Sequence, residues 1–465
     1  MNLTLSEISK FYERTHQYEY KELIFFKDLF LVPIVLSILL FLLRKWQRKL
    51  PSDLKPYYIK AFLFKLIAIP LFLFHHTFIY KGGVDQFTYY WASNELIQLF
   101  YIQPSLAFHI LFSSIDTFNI SNLNFEISHF IFAPNESATI KFTAIIGLFT
   151  GNSFLVTSII CSFLSFLGSW KILEVFNKYY PGHAKILSIT CVFIPSVIFW
   201  TSVISKEVYC FWAMGYLFYY LIDVFEYKKY KIYNFFIILI TCYILIQVKV
   251  YILISLILAF VFFILFGVLK KIQNPLLRNI GFPIVLVVFI GGLAFVMTSL
   301  EGALKQFALS NMLETIKTNY DYLTQEGFAS SRYTLGEIEP TLASISKLGP
   351  AGINVTLFRP YLWEANKPIT LIAALESFLT LLLTLYVIYK SRLKLFKFIF
   401  TDKMLLSIII FALVFSLAVG LTSGNFGTLM RYKIPMMPFY YSALAIIYFK
   451  STERKPKIEP SIDQK

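Results

Sequence analysis

The chain has 465 residues, of which 57% are hydrophobic and 18% aromatic but only 15% charged. A soluble chain of this length must cover itself with polar surface, so the composition excludes an ordinary water-soluble enzyme and calls for a membrane domain whose outer face meets lipid. The net charge of +15 would point a soluble chain toward nucleic acid; here it reads as basic loops that orient membrane helices, and no nucleic-acid partner is expected.

The first 22 residues are polar and aromatic, without the basic start, apolar stretch and small-residue site of a cleavable signal peptide. A span needs about 20 mostly apolar residues. The first such run, 23–43, is expected to be retained, and a second covers 61–80. His75 and His76 close the second run with no acid beside them, so they read as interfacial histidines before a metal site or proton relay.

A long connection follows, from 81 to about 152. It is rich in aromatics and holds Asp85, Glu95, Asp116, Glu126 and Glu136 against only Lys81 and Lys141. Trp91, Leu96, Leu99 and Phe100 recur at roughly helical spacing and Pro104 breaks the run, which predicts short helices lying in the membrane interface. Gly82 and Gly83 allow a sharp turn that presents the Asp85 carboxylate at the membrane surface, where a general base acting on a lipid-linked substrate is needed. The plainer role for Asp85 is a cap on the following helix.

Further spans are expected over 153–172, 186–204, 207–225, 232–248 and 251–269. The runs 186–225 and 232–269 are too long for one crossing, so each must fold back. Ser205-Lys206-Glu207 marks the turn of the first of these hairpins; a polar pair facing a cavity is the sharper reading of Lys206 and Glu207. The next span covers 281–300.

A second long connection, 301–367, ends in Leu357-Phe358-Arg359-Pro360-Tyr361-Leu362-Trp363-Glu364-Ala365. Arg359, Trp363 and Glu364 place a cation, a stacking ring and an acid in one turn, which suits sugar and phosphate binding and equally suits an aromatic belt with a local ion pair. Spans over 368–389, 404–423 and 432–449 complete the chain, with Arg431 and Lys433 at the mouth of the last. Arg431 can hold a phosphate in bidentate fashion or simply snorkel.

Basic residues mark every second connection. They are Arg44 to Lys60, Lys171 to Lys185, Lys228 to Lys231, Lys270 to Arg278, Lys390 to Lys403 and the tail from Lys450. The positive-inside rule then puts the N-terminus and both long connections outside and the C-terminus in the cytoplasm. The expected fold is all-α: a polytopic transmembrane helical bundle of about eleven spans, one domain over 1–450 with a cytoplasmic tail over 451–465. Its outer loops, about 81–152 and 301–367, contain interfacial helices. Cys161, Cys191, Cys210 and Cys242 lie in apolar segments without ligand or disulfide spacing and read as core residues. No Walker loop, dinucleotide fingerprint or zinc spacing occurs, so any activated substrate must arrive already activated.

Two short patterns carry a resemblance. Asp85, Tyr89 and Ala92 fit D-x-x-x-Y-x-x-A at the head of the first long loop, and Arg431 to Phe439 reads Arg-Tyr-x-x-Pro-x-x-Pro-Phe. With these the chain resembles the GT-C superfamily of membrane glycosyltransferases, in an uncharacterised branch near bacterial surface-polysaccharide genes. The segments Phe199-Trp200-Thr201-Ser202 and Phe358-Arg359-Pro360 are similar to members of that branch. The resemblance implies an inner-membrane enzyme that moves a sugar from a polyprenyl-phosphate-linked donor to a glycan or lipid acceptor outside the cytoplasm. It implies Asp85 as the base, Arg431 with Arg359 or Lys206 on the lipid phosphate, and Tyr89, Glu207, Trp363 and Glu364 as further substrate contacts. It fixes no cofactor and leaves room for a divalent metal. Three departures stand out: a span precedes the first loop, Gln86 holds the place of a second acid, and no large C-terminal soluble domain follows. The alternatives are an O-antigen-polymerase-like protein, with catalysis from the 301–367 loop, and a lipid-linked sugar transporter or flippase, which predicts polar residues along a mid-membrane path. Lys65 is the clearest such residue in the sequence.

Overall fold

The computed structural model describes residues 23–80, 84–112, 129–133, 136–274, 314, 317–318, 333–336, 339 and 341–452. The span expected over 281–300, Gly82 and Gly83, Asp116 and Glu126, and the tail beyond 452 lie outside the described residues. Every regular element among the described residues is helical. The helices gather into two compact units, 1–256 and 257–465.

Unit 1 begins with α1 (Asp28–Gln47) and α2 (Lys55–Phe74), the second running into a π-helical turn, His75–Tyr80. Next come α3 (Asp85–Ile102), α4 (Pro104–Phe112), α5 (Ser137–Phe149), α6 (Phe154–Tyr179), α7 (Ala184–Val192), α8 (Pro195–Trp200) and α9 (Lys206–Phe225). The division between units falls within α10 (Ile232–Leu269). Unit 2 holds the rest of α10, then α11 (Leu342–Phe358), α12 (Pro368–Ser391), α13 (Lys394–Thr401), α14 (Lys403–Thr422), α15 (Phe426–Tyr432) and α16 (Met437–Thr452).

Seven of these helices are long and apolar enough to cross a membrane: α1, α2 with its π turn, α6, α9, α10, α12 and α14. The chain is thus built as a multi-pass membrane protein. Eight of the eleven expected spans fall on these seven helices, the span expected over 281–300 lies outside the described residues, and the others differ. The run expected over 186–204 is two short helices, because Pro195 withholds a backbone N–H and starts α8 afresh after an extended Ile194. The spans expected over 232–248 and 251–269 are joined in one 38-residue element, interrupted at Lys249, which is extended (φ −153°, ψ 83°). The last span begins at Met437, not 432, and α16 is only 16 residues long.

Burial separates inner from outer helices. In α6 and α9, 72% of the most apolar window is buried, against 11% in α1 and 22% in α12. The outward side of α12 bears Leu371, Ile372, Leu375, Leu379, Leu382 and Leu383, a surface too apolar for water and suited to lipid. The inner pair α6 and α9 meets through glycine: a Cβ on Gly215 would lie 2.0 Å from the Gly168 carbonyl oxygen. Close backbone approach through small residues substitutes for the hydrophobic drive that lipid removes. Unit 2 repeats the device where α14 crosses α11, with a Cβ on Gly420 falling 2.1 Å from the Gly352 oxygen. Thr356 Oγ1 ties the same crossing by donating to the Ser416 carbonyl at 2.7 Å.

The expected helices between the second and third spans are present as α3, α4 and α5. Pro104 separates α3 from α4 by standing at the first position of the new helix, where its missing N–H costs nothing. Cys161, Cys191 and Cys210 are buried, Cys242 is half-buried, and all four are free thiols, as expected of core residues.

Candidate functional site

In unit 1 the beginnings of three helices meet. Asp85 is the first residue of α3 and is exposed; the cap position itself belongs to Val84. The acid therefore faces the positive end of the helix dipole from within the first turn and does not serve as the N-cap. Tyr89, one turn on, is buried, and the Lys206 ammonium lies 5.8 Å from the centre of its ring. Lys206 opens α9, and its Nζ donates to Glu136 Oε1 at 2.9 Å. Glu136 sits immediately before α5 and is the residue that leads into it. The Tyr89–Lys206–Glu136 chain thus holds the first turns of α3, α5 and α9 together. Helix N-termini and their dipole ends favour negative charge, and Lys206, paired with Glu136, adds a cation with three donors.

Ser205 shapes this corner. It caps α9, its Oγ accepting from the Val208 N–H at 3.4 Å and donating to the Trp200 carbonyl at 3.2 Å. That cap commits the chain to start α9 at Lys206, so Glu207 points inward. Glu207 is 5% exposed and accepts from the Lys249 ammonium at 2.9 Å, Lys249 itself being 7% exposed. The expected turn falls just before, over 201–205, and Lys206 and Glu207 begin α9; the polar pair is split between two partners, one toward Glu136 and one toward Lys249.

Lys249 is the residue that sequence reading missed. It lies between the runs 232–248 and 251–269, where the structure breaks α10. The available signal was a lone charge in the run Ile232–Leu269, which is otherwise uncharged. Lys65, another charge in a span, is buried on α2 and donates to Ser165 Oγ at 2.9 Å and to Thr201 Oγ1. His76 is buried too, its Nδ1 2.9 Å from the Phe72 carbonyl and its ring 4.0 Å from the Phe72 ring, as a packed histidine would be.

Unit 2 joins two segments that the sequence kept apart. Arg359 binds Glu364 through Nε to Oε2 at 3.0 Å and through a second guanidinium nitrogen to Oε1, a bidentate pair. Glu364 Oε2 also accepts from the Tyr361 N–H at 2.8 Å. The guanidinium lies 5.1 Å from the Tyr333 ring centre, 5.8 Å from that of Tyr361 and 5.3 Å from that of Phe426. Phe426 opens α15, and Lys433 just beyond α15 donates to the Arg359 carbonyl at 3.2 Å and to Ser377 Oγ at 2.8 Å. Both flanks of Arg431 therefore close on Arg359, while Arg431 itself is half-buried in the last turn of α15. Lys433, expected at an open mouth beside Arg431, is only 3% exposed and is used to hold the backbone. Trp363 is 81% exposed and stacks on Tyr361 at 4.9 Å.

The candidate residues thus fall into two groups. Asp85, Tyr89, Lys206 and Glu207 belong to unit 1; Arg359, Trp363, Glu364 and Arg431 belong to unit 2. No group of three or more His, Cys, Asp or Glu side chains able to hold a metal occurs among the described residues. Comparison of the chain with protein-family models, with curated proteins and with solved structures finds no match.

Proposed function

We propose that the chain is an integral-membrane glycosyltransferase of the GT-C type, moving a sugar from a polyprenyl-phosphate-linked donor to a glycan or lipid acceptor. The observation that carries this reading is the junction of α3, α5 and α9, where an exposed acid, Asp85, heads a helix whose next turn meets the Lys206 ammonium. An anionic donor headgroup is matched by three helix beginnings and a cation. Asp85 takes the proton of the acceptor hydroxyl as the glycosidic bond forms, and the lipid phosphate leaves with the electron pair of the broken bond. The assignment of Arg431 to the donor phosphate and of Trp363 to a sugar face rests on the sequence resemblance.

The same proposal includes eleven crossings, with the N-terminus and both long loops outside a bacterial inner membrane. Alternating basic connections support it.

The test is genetic. Cells lacking the chain are expected to lose one sugar from an envelope glycan and to accumulate the unspent lipid-linked donor. The wild-type chain restores the sugar; Asp85→Asn, at equal abundance in the membrane, does not. Full restoration by Asp85→Asn removes the catalytic assignment.

A second reading, a transporter or flippase, is favoured by one feature: the buried Glu207–Lys249 pair at a break in a long apolar helix, the arrangement that discontinuous transporter helices use for substrates and ions. Under that reading Lys249→Gln abolishes function while Asp85→Asn leaves it intact.

A further inference from the structure

Between α12 and α14, two helices long enough to span, the chain has only residues 392–402, so this connection must lie at one membrane surface. Most of it is α13, Lys394–Thr401, which contacts α14 and α16. With 3.6 residues per turn, its side chains sort into three faces. Leu395, Phe398 and Ile399 share one face and are half-buried. Leu393, Phe396 and Phe400 share the next and are 84%, 58% and 52% exposed. Lys394 and Lys397 form the third, exposed as well and continued by Arg392.

The neighbouring ends add charge of the same sign. Lys270, at the end of α10, donates to the Thr401 carbonyl. Lys450, at the end of α16, bonds Asp402, which in turn caps α14 by accepting from the Met404 N–H at 3.0 Å and the Leu405 N–H at 3.1 Å. Lys403 rests over the Phe263 ring at 4.6 Å. Asp402 is the one acid of this connection, against Arg392, Lys394 and Lys397, with Lys403 following at the start of α14.

We infer that α13 is a binding site for anionic phospholipid: Phe396, Phe400 and Leu393 enter the acyl region while Arg392, Lys394 and Lys397 hold the phosphates. The occupant follows from the two exposed faces together. An apolar face alone would suit any lipid, and a basic face alone would suit any polyanion; side by side on a helix fixed at the membrane surface, they match a charged headgroup with its chains attached. Each basic residue brought to an anionic surface is worth roughly a factor of five in affinity.

The experiment uses the full chain in neutral detergent, given equal amounts of phosphatidylglycerol and phosphatidylcholine with the same acyl chains, and counts lipids retained on the intact protein by mass. The wild-type chain is expected to keep phosphatidylglycerol several-fold over phosphatidylcholine. R392Q/K394Q/K397Q is expected to lose at least one retained phosphatidylglycerol, whereas R44Q/K45Q/K49Q, which removes the same charge from the exposed end of α1, keeps the wild-type count. Equal retention of the two lipids by the wild-type chain overturns the inference. So does an equal loss in both variants, which makes the effect one of net charge, or an unchanged count in R392Q/K394Q/K397Q. Because the first comparison needs no variant, the inference stays testable even if a substituted chain does not accumulate.

Discussion

Each unit contains an ion pair that holds irregular chain in place, and the two are built differently. In unit 1, Glu207 and Lys249 have side chains 6% and 5% exposed and meet at 2.9 Å through one contact, from two long apolar helices. In unit 2, Arg359 and Glu364 are 18% exposed each, doubly bonded, and surrounded by the rings of Tyr333, Tyr361 and Phe426. The first pair is almost wholly buried, so removing one partner leaves the other charge in an apolar setting. The second spreads its stabilisation over two hydrogen bonds, a backbone N–H and three rings, so loss of any one contact leaves the rest. Charge deep among apolar helices is therefore a point of fragility, and charge at a helix connection is a distributed clamp.

The largest expected effect comes from breaking the first pair on one side. Lys249→Met strands the Glu207 carboxylate and should cost about 3–5 kcal/mol, whereas Lys249→Met with Glu207→Met should recover most of that. Thermal unfolding of the purified chains in detergent reads both. A double variant no more stable than the single one would mean that the pair is not the source of the loss.

The helix crossing in unit 2 gives the next effect, and its sign depends on which glycine changes. Gly420→Ala drives a methyl to 2.1 Å from the Gly352 oxygen and should cost about 1–3 kcal/mol as α11 and α14 separate. Gly352→Ala meets nothing closer than Leu421 at 3.5 Å and should be neutral or stabilising by up to about 1 kcal/mol, because alanine favours the helix. Unfolding midpoints of the two variants should move in opposite directions or differ clearly in size; equal losses would contradict the crossing geometry.

Arg359→Lys sharpens the contrast between the pairs. Lysine keeps the charge but loses the planar fork, so a loss of about 1 kcal/mol is expected, between the limits for buried and exposed charged bonds. A loss as large as that of Lys249→Met would erase the distinction between dependent pair and distributed clamp.

The topology predicts no change in stability at all. In a background without Cys161, Cys191, Cys210 and Cys242, a cysteine at Trp363, which is 81% exposed in the second long loop, should react with an impermeant thiol reagent in intact cells and one at Lys229 should not. Labelling of Lys229→Cys would break the orientation.

How much was legible follows physical lines. Long spans such as α6, α12 and α14 were readable because lipid imposes a length and a composition on each span independently of its neighbours. Pro104 was read correctly as a break, because the ring acts on its own backbone; Pro195 acts by the same rule, yet the apolar run around it hid the break between α7 and α8. The break between the runs 232–248 and 251–269 was legible from their combined length, and the structure has it at Lys249; the partner of Lys249, Glu207, was not, because no periodicity records a contact between distant helices. The clamp on Arg359 was half visible: its pairing with Glu364 is local, but Phe426 and Lys433 reach it from more than 60 residues away, and no periodicity records such a contact. Asp85 was located at the head of α3, but its competing role as an N-cap could be decided only by the backbone, which gives that position to Val84.

The most direct measurement is the initial rate of sugar transfer by isolated membranes, using the lipid-linked donor extracted from cells that lack the chain. Wild-type membranes should transfer the sugar, and membranes with equal amounts of Asp85→Asn should be slower by a factor of about 100 to 10,000, the usual worth of a general base. Since Asp85 is exposed and in the first turn of α3, losing its charge there should cost no more than about 1 kcal/mol of stability. An Asp85→Asn rate within twofold of wild type, in a chain of normal stability, would contradict the account.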